Sequence, residues 1–219
     1  MSDEEAKVTI ACRDNGPYMV SGLGDLRAPD GSAVETKPMV ALCRCGGSAK
    51  KPFCDGTHAR NGFDGAKHAD RAPDQRQSYV GNDVTIHDNR ALCAHAGVCT
   101  DNLSAVWRQR QEPWIDPDGA AVADIIDVIG KCPSGALSYS LGGAEAQVPS
   151  GAPSIQAAKD GPFVVSGDIE LEGQAMDVEW GDGACRAQFT LCRCGASKNK
   201  PFCDGSHWSV GFKDDGSAG

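Results

Sequence analysis

The sequence predicts an α+β chain in which two β-rich modules flank a smaller unit of alternating strands and helices. Three observations carry this. Leu42 to His58 reads LCRCGGSAKKPFCDGTH and Leu191 to His207 reads LCRCGASKNKPFCDGSH, near-identical strings at a constant offset of 149, which marks a duplicated module. With 27 Gly, 12 Pro and 6% aromatic residues, the chain has many turns and thin cores, so bound inorganic groups are expected to help hold it. Between the copies the apolar spacing changes from short β runs to helical periodicity.

Taken in order, Tyr18 to Val20 and Val40 to Leu42 are β-branched or apolar runs broken by Gly and Asp, and they recur as Phe163 to Val165 and Phe189 to Leu191. NGPYMVSG from Asn15 matches DGPFVVSG from Asp160 at an offset of 145, so an insertion of four residues precedes the second cysteine cluster. Asp55 and Asp204 are placed to cap short helices that carry the histidines. In the middle unit, Tyr79 to Ile86 reads as a strand. Leu103, Val106 and Trp107 keep helical spacing, and Val122, Ile125, Ile126 and Ile129 make one apolar helix face. Polar Asp70 to Gln77 and the Gly/Ala/Pro/Ser-rich Gly142 to Ser154 read as linkers. The expected domains are 1–70, 76–142 and 155–219.

Charge narrows the partners. Lys plus Arg total 21 against 30 Asp plus Glu, a formal charge of −9, which argues against nucleic acid and anionic membrane as main partners. No apolar run reaches bilayer-spanning length, and MSDEEAKVTI lacks an export pattern, so a cytoplasmic location is expected. Eleven cysteines in such a chain point to metal or redox chemistry before disulfides. Nine fall in triplets: Cys43/Cys45/Cys54, Cys93/Cys99/Cys132 and Cys192/Cys194/Cys203. Cys12 and Cys185 stand alone and read as buried, unreactive thiols.

Each end module offers C-x-C, eight residues, then C-x3-H, which gives three thiolates and one imidazole. That set would satisfy tetrahedral zinc, or two sulfide-bridged irons with two protein ligands each. Structural zinc usually uses C-x2-4-C knuckles, so iron–sulfur is favoured. The string C-R-C followed by P-F-C-D-G-T/S-H resembles the CDGSH iron–sulfur, or NEET-like, family, with Thr57 in place of Ser as the one departure within the CDGSH letters. The resemblance implies one 2Fe-2S cluster on Cys43, Cys45, Cys54 and His58, and another on Cys192, Cys194, Cys203 and His207. It also implies a β-rich fold in which two modules pair across a twofold axis. Here the two copies would form that pair within one chain, as a monomer with an internal pseudo-twofold.

The middle string Cys93-Ala-His95-Ala-Gly-Val-Cys99, with Cys132-Pro133 downstream, keeps the frame of bacterial ferredoxin cluster binding, but Ala96 stands where the second cysteine belongs. The stretch from about Tyr79 to Ser140 resembles the small single-cluster ferredoxins described as divergent 4Fe-4S. Two options follow: a 3Fe-4S cluster on Cys93, Cys99 and Cys132, or a 4Fe-4S cluster completed by His95 or an outside ligand. The first is favoured, because an iron without a firm fourth ligand is easily lost. His68 and His87 have no cysteine neighbours and read as surface or turn residues.

The chain thus reads as a one-electron carrier and not an enzyme, since no nucleophile–base pair, phosphate loop or paired-carboxylate motif stands out. Its expected partner is a redox donor or acceptor protein. The alternative is a cluster carrier, or a redox or pH sensor, that serves an apo iron–sulfur acceptor. Arg44, Lys50, Lys51, Arg193, Lys198 and Lys200 flank the end sites; they are read either as docking an acidic partner or as offsetting cluster charge. An imidazole ligand must be unprotonated, so falling pH should loosen His58 and His207 first.

Overall fold

A computed structural model describes residues 7–146, 148–149, 151–174 and 177–216. The first module contributes β1 (Val8–Cys12), β2 (Tyr18–Ser21), β3 (Leu26–Arg27), β4 (Ala33–Val34) and β5 (Met39–Leu42). The last contributes β10 (Ser154–Ala157), β11 (Phe163–Ser166), β12 (Ile169–Gly173), β13 (Gln188–Leu191) and a one-turn helix α3 (Ser206–Ser209). Burial alternates along β1 and β2, as expected of strands with one face on a core.

The two ends are interleaved. One sheet runs β12-β1-β2-β5 and the other β13-β11-β10-β3-β4. Each contains a parallel strand from the other copy: Val8 pairs with Ile169 across β1 and β12, and Leu26 with Ile155 across β3 and β10. The exchange is reciprocal, because β3 stands in the first copy where β12 stands in the second. Ile10, Tyr18, Leu26, Leu42, Ile155, Phe163, Phe189 and Leu191 are all nearly inaccessible in one shared core. The Tyr18 hydroxyl in the first module donates to the carbonyls of Cys192 (2.9 Å) and Pro201 (3.0 Å) in the second. The expected pairing of the two copies within one chain is therefore what the structure has.

The middle unit folds as an antiparallel sheet ordered β6 (Arg76–Val80), β7 (Val84–Asn89), β8 (Leu137–Leu141) and β9 (Ala144–Glu145), with α1 (Val98–Asn102) and α2 (Val122–Gly130). It has its own core around Ile86, Val106, Trp107, Ile115 and Ile125. Several local expectations differ. The run from Tyr79 to Ile86 is a hairpin and not one strand, turning at Gly81 to Asp83 where Gly81 donates to the Val84 carbonyl. Val106 and Trp107 are buried but follow α1 in a turn, so their spacing marks core and not helix. On α2, Val128 is buried with Ile125 and Ile129, while Ile126 is only half-buried.

The histidine-bearing turns form as expected, a 3-10 turn at Thr57–Ala59 and α3. The capping differs, since left-handed Gly56 and Gly205 hold the N-cap positions. Asp55 sits one residue earlier and ties two loops together, accepting from the Thr57 N–H (3.0 Å) and the Ala49 N–H (2.9 Å). The Ala49 bond holds its carboxyl below the usual carboxylate range. Asp204 repeats this with Ser206 (3.0 Å) and Lys198 (2.8 Å).

His87 is also not a surface residue. It is buried in β7, with Ser78 Oγ and Ser140 Oγ each 2.8 Å from a ring nitrogen. His68 is half-buried, its Nε2 3.6 Å from an Asp64 carboxylate oxygen. Cys12 is buried, and burial pushes its thiol up to about 11. Cys185 is only half-buried and lies against Gly135.

Candidate metal centres

The two C-x-C hairpins meet at the pseudo-twofold axis, where Cys45 and Cys194 form an antiparallel bridge. Gly46 and Gly195, at φ +74 and +81, let the backbones touch there: a Cβ on Gly46 would lie 2.5 Å from the Cys194 carbonyl oxygen. Within each hairpin the two sulfurs come together, Cys43 and Cys45 at 3.9 Å and Cys192 and Cys194 at 3.8 Å. The following turn supplies a second pair: Cys54 Sγ lies 3.3 Å from His58 Nδ1, and Cys203 Sγ 3.4 Å from His207 Nδ1. Both ends thus bring together the residues that the sequence predicts.

The ligands arrive as two pairs per site. Among the described residues no three Cys, His, Asp or Glu side chains gather around a single ion-sized position. One tetrahedral zinc requires all four donors around one point; two bridged irons require one pair each. The donor arrangement fits the second demand. Burial pushes Cys43 up to about 11. The contact between the Cys192 and Cys194 sulfurs eases the ionisation of Cys192 and opposes that of Cys194. A cationic centre would replace the thiol protons.

The sites differ in cover. Cys54 and His58 are half-buried, whereas Cys203 and His207 are 2% and 4% exposed. The difference comes from the middle unit, whose cysteine loop lies on the second CDGSH turn. The His95 ring packs on Gly205, where a Cβ would come 2.4 Å from its Cδ2. Trp208 Nε1 donates to the His95 carbonyl (3.2 Å), Asn199 Nδ2 to the Ala91 carbonyl (2.8 Å) and Gln188 Nε2 to the Cys132 carbonyl (2.7 Å). Burial lowers the His207 and His95 pKa values, Arg193 adding to the effect at His207 and Arg90 at His95.

In the middle unit Cys93, Cys99 and Cys132 line one cleft together with Asp88, His95, Trp114 and Ser134. The cysteines come from three places: the end of a 3-10 turn after β7, α1, and the turn after α2. Burial raises the thiols of Cys93 and Cys99, the latter to about 11. His95 holds a left-handed conformation at φ 53, and its Nδ1 is 3.4 Å from an Arg90 guanidinium nitrogen. Sequence reasoning does not single out Asp88, because one carboxylate beside a histidine in a strand makes no pattern.

Three of the six flanking cations are buried and do not face a partner. Arg44 and Arg193 are buried, 5% and 1% exposed. Lys200 is buried with its ammonium on the Ser197 carbonyl, and Lys51 donates to the Ser48 carbonyl (2.7 Å). Lys198 is exposed but pairs with Asp70 at 2.5 Å. Of the six, Lys50 is exposed with no such tie among the described residues.

Comparison with known proteins agrees with the geometry. The family model described as iron-binding zinc finger CDGSH type matches residues 15–59 and 160–208, and that of the divergent 4Fe-4S mono-cluster matches 79–142. Uncharacterized protein YjdI of Escherichia coli strain K12 is 39% identical over 61 residues, covering 28% of this chain and 80% of that protein; the same holds for YjdI of strain O157:H7. No solved structure matches. No helix among the described residues is long and apolar enough to cross a membrane. The ligand-bearing strings, their paired geometry and these matches together make this an iron–sulfur protein: the chain belongs to the CDGSH iron–sulfur family, with two CDGSH modules on either side of a divergent 4Fe-4S mono-cluster domain.

Proposed function

We propose that the chain is a one-electron carrier, with 2Fe-2S clusters on Cys43, Cys45, Cys54 and His58 and on Cys192, Cys194, Cys203 and His207, and a third cluster on Cys93, Cys99 and Cys132. The observation that carries this is the contact between the middle cysteine loop and the second CDGSH turn, through His95, Gly205 and Trp208. An iron–sulfur cluster accepts and releases single electrons, at a higher potential where an imidazole replaces a thiolate. The chain's part is to hold two such sites against each other and to shield one of them. The partner under this reading is a redox protein.

A cluster carrier is the second reading, and the half-buried Cys54 and His58 favour it for the first site alone. The experiment separates them. Anaerobically reduced full chain is mixed either with ferricyanide or with an apo-ferredoxin. The carrier of electrons restores its visible spectrum with ferricyanide, keeps its iron and acid-labile sulfide through desalting, and passes no iron to the apo-ferredoxin. Iron appearing in the apo-ferredoxin would favour the second reading, and a folded chain with no iron at all would end both.

Unequal cover makes a further outcome specific. At mildly acid pH with a ferrous chelator present, iron should leave in two phases, the faster from the first site. His58→Cys should slow the fast phase and leave the slow one; His207→Cys should do the reverse. A single phase unaffected by either substitution would contradict the ligand assignment.

A further inference from the structure

The cleft that collects Cys93, Cys99 and Cys132 contains one more group able to bind iron. Asp88 is 1% exposed in β7, and neither of its carboxylate oxygens has a hydrogen-bond partner. Buried carboxylates are normally paired, because removing the charge from water is costly. Its neighbours on the strand follow that rule. His87 has Ser78 and Ser140, and the Asn89 amide donates to Asp74 Oδ1 (2.7 Å) and to the Asp182 carbonyl (2.9 Å). The Arg90 guanidinium stays 3.9 Å from Asp88, stacked instead on Trp114 at 4.9 Å and reaching His95. Asp88 therefore presents two oxygens free of hydrogen bonds, with only the 3.9 Å ion pair to Arg90, to a cleft lined by three cysteines.

The fourth position is open. Ala96 stands where the ferredoxin frame has its cysteine, and the His95 ring is engaged with Gly205 and Arg90. A carboxylate is a competent iron ligand, and a cation in the cleft would satisfy a buried charge that has no hydrogen bond and only a distant ion pair with Arg90. We propose that Asp88 is the fourth protein ligand of the middle cluster, so that Cys93, Cys99, Cys132 and Asp88 hold a 4Fe-4S core. This rests on the reading above that the three cysteines hold a cluster at all.

The test uses the full chain, reconstituted anaerobically with ferrous iron and sulfide, as wild type, Asp88→Asn and Asp88→Cys. Asn keeps the shape of the side chain and removes the anionic ligand; Cys restores a ligand of another kind. Wild type should carry about eight irons, with no paramagnetic resonance of an oxidised three-iron cluster. Asp88→Asn should fall to about seven irons and show that resonance, and Asp88→Cys should return to about eight without it. The proposal is overturned if wild type already shows the three-iron resonance, or if Asp88→Asn keeps eight irons. Should Asp88→Asn fail to fold, the wild-type resonance and the Asp88→Cys iron content decide. About four irons in wild type would remove the middle cluster itself, and with it both this proposal and the reading beneath it.

Discussion

Arg193→Ala should lower the stability of the folded chain by about 3–5 kcal/mol, the range for removing one partner of a buried, hydrogen-bonded ion pair. The guanidinium is 1% exposed and lies between the rings of Phe163 (5.5 Å) and Phe212 (5.2 Å). Its Nε donates to the Gly161 carbonyl at 2.9 Å, one Nη to the Ala158 carbonyl, and the other to the Asp214 carboxylate. Burial pulls the guanidinium pKa down, and Asp214 pulls it back, so the side chain remains charged and its loss takes the partner from a half-buried carboxylate oxygen and from two carbonyls. Arg44 holds the same place in the first copy, stacked on Tyr18 (5.3 Å) and Phe63 (5.7 Å), but its hydrogen bonds go to the Arg13 and Gly65 carbonyls and its Nε has no partner. Arg44→Ala should therefore cost less, about 1–3 kcal/mol. Urea unfolding of the two variants beside wild type measures the difference; Arg193→Ala within about 0.5 kcal/mol of wild type would mean the pair contributes nothing net.

The arginines show where sequence reading stops. Their positions beside cysteines are visible, and so is the recurrence of Phe63 and Phe212 at the same offset. That each arginine turns inward onto those rings depends on the loop path, which no periodicity encodes. The end sites are legible because their ligands are local: C-x-C and C-x3-H are close in the chain, and the folded pairs at 3.3 to 3.9 Å follow from that spacing. The strand exchange is not legible from the residues, since nothing marks Val8–Cys12 as the partner of Ile169–Gly173; only the family resemblance suggests that the copies pair. In β7 the rule of alternating burial fails, since the four consecutive residues from Ile86 to Asn89 are all buried, which is why the sequence pattern misplaces His87 at the surface and passes over Asp88. The His95–Trp208 junction joins residues 113 apart, a separation at which a single sequence carries no signal.

Gly46→Ala and Gly195→Ala should each destabilise the chain by more than about 3 kcal/mol, beyond what backbone strain alone explains. A left-handed alanine costs about 1–2 kcal/mol, and Gly62→Ala, at φ +69 with nothing within 4 Å of its Cβ, measures that part by itself. The excess comes from contact. A Cβ added at Gly46 would sit 2.5 Å from the Cys194 carbonyl oxygen and 2.8 Å from its carbon, and one added at Gly195 would sit 2.6 Å from the Cys45 oxygen. Both obstacles are backbone, so relief requires the hairpins to part and the Cys45–Cys194 bridge to open. Because either substitution alone forces that separation, the double variant should lose clearly less than the sum of the two, as coupled positions do. Additive losses, or single losses no larger than that of Gly62→Ala, would mean the two copies are held by their exchanged strands and shared core, with no contribution from the point where their cysteine hairpins touch.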